Sequence, residues 1–256
     1  MRALGLSVTA FLLVALPLMR SFSQVAPSQA YNRGNSFFQE GQYKKAIQAY
    51  RKALSLGVRN SYLYYNLGNA YYKDGQIGKA IWAYEKARIL SPRDDDINFN
   101  LKLLRSFTEG KSSASSSGGM IRFFSQLPGF FALRELAWGE TILYLFLTIS
   151  LIGYLLSFKP GLRRTMRHLS TLVAPLFFVS TLLLFARYYE LNFKQRAIIL
   201  SPQLEARSGP GDEYTKILTL HEGIEVEIKE SREGWCLIKL PNGLGGWVEQ
   251  SSLLRI

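Results

Sequence analysis

Thr141–Phe158, TILYLFLTISLIGYLLSF, and Leu169–Ala186, LSTLVAPLFFVSTLLLFA, flank the connector Lys159–His168, KPGLRRTMRH. Neither run contains a charged residue, and each has 18 residues, just enough for a helix to cross a hydrocarbon layer of ~30 Å. A helix packed on one side of a soluble core keeps a polar stripe, and these are apolar all round. The stretch reads as a transmembrane hairpin, with helices at 141–158 and 169–186 and a loop at 159–168. Lys159, Arg163, Arg164 and Arg167 in that loop face no acidic residue, while the outer flanks mix Arg134, Glu135, Glu140, Arg187, Glu190 and Lys194. Excess Lys and Arg in a short loop marks the cytoplasmic side, so both long flanks are expected outside the cytoplasmic membrane. Trp138, Tyr188 and Tyr189 stand at the outer ends, where amphipathic rings prefer the headgroup layer.

The remaining length, in a chain of 256 residues, allows two small soluble domains rather than a large catalytic core. A net charge of +12 raises nucleic acid as a partner, but its distribution argues against it. Residues 24–110 and the connector are basic, whereas the tail from Ala197 is rich in Glu. The single cysteine, Cys236, excludes an internal disulfide framework and, inside the strand-like run Trp235–Leu240, reads as a small buried hydrophobe. Residues 1–23 have the layout of a secretory signal peptide: Arg2, an apolar core from Ala3 to Met19, then the small residues Ser21 and Ser23.

Between 27 and 94 the chain repeats itself. Gly34, Phe37, Gly41, Gln42, Lys45, Ala46, Ile47, Tyr50 and Ala53 recur as Gly68, Tyr71, Gly75, Gln76, Lys79, Ala80, Ile81, Tyr84 and Ala87, each 34 positions on. The small residues suit closely approaching antiparallel helices, and the tyrosines fill the space between them. This order and period resemble the tetratricopeptide repeat. The resemblance implies an all-α solenoid over 24–110, with repeats at about 27–60 and 61–94 and a capping helix at 95–109, which Asp94, Asp95 and Asp96 would open. The second copy follows the pattern through Tyr64, Leu67 and Pro92, and the first departs from it at Ala30, Arg33 and Val58. In that family peptides lie along the inner face of each unit's first helix. The resemblance puts that face at Tyr31, Asn35 and Phe38, then Tyr62, Tyr65, Asn69, Tyr72 and Lys73. Tyr31 stands where chaperone-type grooves need a lysine to clamp a terminal carboxylate.

Residues 111–136 combine a Ser/Gly-rich linker with an apolar, interrupted segment suited to a membrane interface or a partner surface. The tail at 197–256 reads as short alternating strands broken by Ser208–Gly211, His221–Gly223 and Pro241–Gly243. Its order of Ala206–Pro210, Leu220–Gly223, Gly234–Trp235 and Gly246–Val248 resembles the bacterial SH3 domain. That implies a small all-β barrel with Trp235 and Trp247 as anchors; the acidic-aromatic loop that reads proline helices is missing.

No motif for chemistry stands out. His168 and His221 fall in separate segments, no spaced Cys/His set appears, and neither a Gly-x-Ser-x-Gly elbow nor a Walker loop is present. The expectation is a non-enzyme without metal or cofactor. The whole order of modules, in a multidomain membrane protein, resembles the BatE-type proteins of the aerotolerance operons of Bacteroides and related bacteria. The resemblance implies an inner-membrane scaffold with both soluble domains periplasmic, protein or peptide partners such as von Willebrand A-type Bat proteins, and a part in tolerance of oxidative or envelope stress. The competing expectation is a cell-wall tether, with the SH3 domain binding peptidoglycan peptides. Nucleic acid is not an expected partner.

Overall fold

A computed structural model of the chain describes residues 27–108 and 127–256. The expected signal peptide, the whole Ser/Gly linker at 111–119 and residues 120–126 of the apolar segment after it lie outside the described residues. The chain divides into two compact units, Met1–Ala87 and Arg88–Ile256.

In the first unit, helix α1 occupies 27–39 and is followed by α2 (Tyr43–Ser55), α3 (Ser61–Lys73) and the greater part of α4 (Ile77–Leu90). The two α-hairpins are built alike. Gly41 and Gly75 have φ of +73° and +78°, which turns the chain in the left-handed region glycine tolerates. There the amides of Gln42 and Gln76 donate to the carbonyls of Phe37 and Tyr71 at 2.8 and 2.9 Å. Asn60 caps α3, its Oδ1 accepting from the Leu63 amide at 2.8 Å. Tyr50 and Tyr84 are buried, each against a glycine of the preceding helix. A Cβ on Gly34 would collide with the Tyr50 ring, and one on Gly68 would lie 2.7 Å from that of Tyr84. Burying each ring contributes about 2–3 kcal/mol.

The second unit opens with the end of α4 and α5 (Asp95–Thr108). Asp94 caps α5, its Oδ1 accepting from the Ile97 amide at 3.1 Å, and Ile97, Leu101 and Leu104 are buried. After a helical turn at 127–130 come two long helices, α6 (Leu133–Leu156) and α7 (Pro160–Phe193). Both are long and apolar enough to cross a membrane, and only 6% of each apolar window is buried, so they are not core helices of this unit. They run antiparallel, with Glu140 on Thr181 (2.5 Å), Tyr144 beside Phe177, Ser150 on Ser170 (2.9 Å) and Gly153 against Met166. Small and hydroxyl-bearing residues at such contacts let helices approach and hydrogen-bond where no water is present.

The connector differs from the expected loop. Pro160 sits at the first position of α7, where its missing N–H costs nothing, and residues 161–168 continue the helix. The bend therefore shrinks to 157–159, and α7, with 34 residues, reaches ~51 Å. At its other end only Lys194 separates α7 from strand β1 (Gln195–Ile199).

Six further strands follow: β2 (Gln203–Arg207), β3 (Lys216–His221), β4 (Glu225–Arg232), β5 (Trp235–Lys239), β6 (Gly245–Glu249) and β7 (Leu253–Arg255). They form one antiparallel sheet in the order β3-β2-β6-β5-β4-β1-β7. The ladder does not close on itself, which corrects the expectation of a barrel. Register irregularities at Ala206/Arg207 and Ile228/Glu230 bend it around one core of Ala197, Ile199, Leu204, Ala206, Leu220, Val226, Ile228, Cys236, Ile238 and Val248. The two tryptophans are a second correction. Alternation along β5 and β6 sends Cys236, Ile238 and Val248 inward, so Trp235 and Trp247 lie on the opposite, half-buried face. Gly246 does meet a close backbone approach, since a Cβ there would lie 3.0 Å from the Arg207 carbonyl oxygen.

Candidate peptide-binding groove

Residues 62, 66, 69 and 73 of α3 share one helical stripe, as do 31, 35 and 38 of α1. Between these stripes lies a concavity of about 210 Å³ lined by Asn35, Phe38, Gln39, Tyr50, Asn66 and Asn69. Three of the sequence-derived residues, Asn35, Phe38 and Asn69, meet there. Tyr31 borders it, its hydroxyl accepting from Asn66 Nδ2 at 2.9 Å. Tyr65 is half-buried and packs on Tyr84 with ring centroids 5.8 Å apart. Tyr62 and Tyr72, at 70% and 40% exposure, and the exposed Lys73 stand free of the cavity lining along the same helix.

The two asparagines expected to bind a ligand's backbone are engaged inside the fold. Tyr50 Oη donates to Asn35 Oδ1 at 2.8 Å, and Tyr84 Oη donates to Asn69 Oδ1 at 2.6 Å. Each bond satisfies a buried phenol, so both asparagines are repeat-building residues as well as groove lining. Asn66, which the sequence reading passed over, joins the rows by donating to both Tyr31 Oη and Asn35 Oδ1 (3.2 Å). Its signal was present, because Asn32 precedes it by the same 34 residues. Asn69→Ala is expected to cost about 1–2 kcal/mol by leaving the Tyr84 hydroxyl buried without its acceptor, a loss that thermal unfolding of the full chain would register.

Burial pushes the Tyr50 and Tyr71 phenols above their ordinary value of 10, with Tyr31 adding to the first effect and Arg51 opposing the second. A folded-state value raised above the unfolded one gives stability that is complete below about pH 10 and lost as pH rises toward the folded value. The midpoint of helical unfolding is therefore expected to hold through pH ~9 and fall above ~10, with a shallower fall in Tyr50→Phe; an identical alkaline slope in both chains would refute the assignment.

A second surface lies on the sheet. Asp212, Trp235, Glu249, Gln250 and Leu253 line an open concavity of about 630 Å³, and beside it the Arg232 guanidinium stacks over Trp247 at 6.0 Å. It is acidic and aromatic.

Known families match each soluble part. The TPR repeat model matches residues 34–75, the tetratricopeptide repeat model 61–94 and the bacterial SH3 domain model 203–254. The chain thus carries TPR repeats and a C-terminal bacterial SH3 domain, modules consistent with protein–protein interaction. No curated protein matches it. Among solved structures it is similar to an Arabidopsis OM64 TPR domain (20% identity, 33% of this chain and 70% of that one, TM-score 0.32). It is also similar to the Yersinia enterocolitica type III secretion chaperone SycD in complex with a peptide of the translocator YopD (19% identity, 60% and 92%, TM-score 0.29). A third is a type III secretion complex from Aeromonas hydrophila (16% identity, 68% and 95%, TM-score 0.32). Likeness at these scores carries no functional argument.

Proposed function

We propose that the chain is a non-enzymatic scaffold of the bacterial inner membrane, held by α6 and α7, whose repeats grip an extended segment of a protein partner. The observation that supports this is the row of α3 side chains left exposed beside the polar concavity: Tyr62, Tyr72 and Lys73 contribute nothing to the packed core, yet continue the stripe of Asn66 and Asn69. Aromatic rings flanking amide groups fit a peptide whose backbone is hydrogen-bonded and whose side chains are apolar or acidic. In this reading the SH3 domain engages a second subunit, both soluble parts face the periplasm, and the assembly is a Bat-type complex for tolerance of envelope or oxidative stress.

The alternative, a wall tether, draws support from the acidic and aromatic concavity on the sheet, since carboxylates suit the amino groups of a peptidoglycan stem peptide better than its glycan. The reading is tested in native membranes with the tagged full chain. Tyr62→Ala/Tyr72→Ala/Lys73→Glu is expected to reduce recovery of von Willebrand A-type partners ~10-fold or more without lowering the unfolding midpoint. Undiminished recovery would rule out the groove, and sedimentation of the chain with purified sacculi would favour the tether.

A further inference from the structure

The second unit contains a cavity of about 400 Å³ where the end of α4, the turn at 127–130, the last turns of α7 and β1 meet. Arg88, Arg187 and Arg196 line it, with Glu190, Pro92 and Phe130. We infer that this cavity is a binding site for one phosphate oxyanion, delivered by a lipid headgroup or by soluble phosphate.

Charge is the first argument. Glu190 Oε2 pairs with Arg187 Nη1 at 2.8 Å, and Glu225 accepts from Arg196 at 3.2 Å and also from Arg105. Three guanidinium groups (Arg88, Arg187, Arg196) and one carboxylate (Glu190) thus line the cavity, a basic wall suited to a phosphate monoester or diester.

Burial is the second. The Arg187 side chain is 5% exposed, and its Nε–H is buried with no hydrogen-bond acceptor. A buried guanidinium that keeps an unanswered donor is costly, and an oxyanion is the acceptor its geometry favours. Glu190 occupies Nη1 and leaves Nε for a ligand. Beside it, Arg93 binds Glu135 at 2.5 Å and lies 5.5 Å above the ring of Phe130, which lines the cavity. Gly129 also lines the cavity, and a Cβ there would touch Arg187 Nη1 at 3.8 Å.

Position is the third. Arg187 directly follows the uncharged run ending at Ala186, and Tyr188, Tyr189 and Phe193 beside it are exposed. In a bilayer this is the headgroup level, where a diester phosphate is already present at high local concentration.

Two measurements on the full chain in mild detergent test the site. Native mass spectrometry after exposure to equimolar phosphatidylglycerol and phosphatidylcholine reads lipid retention, and the unfolding midpoint in millimolar sodium phosphate against sodium chloride of equal ionic strength reads soluble anion. Wild type is expected to retain phosphatidylglycerol, with a loss of ~10-fold in Arg88→Gln/Arg196→Gln and a smaller loss in Arg187→Lys, which keeps the charge but not the planar fork. Arg163→Gln/Arg164→Gln, which removes equal charge at the other end of the hairpin, is expected to retain lipid as wild type does. A phosphate-dependent rise in midpoint that the cavity variants lose, without lipid retention, would support the site and assign it to soluble phosphate. Equal lipid retention and equal phosphate response in wild type and both cavity variants would overturn it, as would a loss that the connector variant reproduces.

Discussion

Gly68→Leu is expected to lower the midpoint of helical unfolding by about 10 °C or more, the result of roughly 3 kcal/mol of overpacking in a small helical unit. The Cβ would stand 2.7 Å from the Tyr84 ring, and that ring has nowhere to go: it is 1% exposed, and its hydroxyl is held 2.6 Å from Asn69 Oδ1. Moving it breaks the hydrogen bond and opens the space between α3 and α4 together, so the two losses add. Tyr84→Ala in the Gly68→Leu background separates the causes. If steric conflict dominates, the double variant will be no less stable than Tyr84→Ala alone, because the new side chain fills the space the ring vacates. If it is less stable by the full Gly68→Leu increment, the glycine acts through helix conformation rather than through the ring.

Ile238→Asp is expected to abolish the cooperative unfolding transition of the sheet, at a cost of ~4 kcal/mol or more, because an unpaired carboxylate would enter a site 1% exposed with only apolar neighbours. Trp247→Asp, one strand away on the other face, should cost about 1 kcal/mol, since its half-buried ring leaves the carboxylate access to water. Near-ultraviolet circular dichroism and guanidinium titration of the full chain compare the two. The order of effects would reverse if the tryptophans formed the core.

That contrast also marks where the sequence is ambiguous. In Trp235–Lys239 both phases of the alternation are apolar, Trp235 and Leu237 in one, Cys236 and Ile238 in the other, so a period of two cannot say which faces inward. Size favours the tryptophans; the close approach of β6 to β2 at Gly246 leaves room only for smaller side chains. The repeats were legible because their constraints are local and occur twice: a glycine, a tyrosine and a turn glycine, each echoed 34 residues later. The sequence places Asn35 and Asn69 on the inner stripe of their helices but does not mark them as acceptors for Tyr50 and Tyr84, whose hydroxyls come from the next helix, 15 residues along the chain. The helical connector was hidden by Pro160 and Gly161, which look like a turn but begin α7. The arginine cavity had no local signal at all, since Arg88, Arg187 and Arg196 come from separate elements.

The junction at Lys194 has a mechanical meaning. With one residue between α7 and β1, and β1 paired on both sides to β4 and β7, the helix is coupled to an interior strand of the sheet rather than to a free edge. The sheet cannot tumble independently of the ~51 Å rod that carries it, so a twist or tilt of α7 becomes a reorientation of the whole SH3 surface. A force pulling on that surface reaches α7 through the β1–β4 and β1–β7 ladders, since β1 is the strand that joins helix and sheet. Load on the SH3 surface thus passes to α7 through an interior strand rather than through an edge of the sheet.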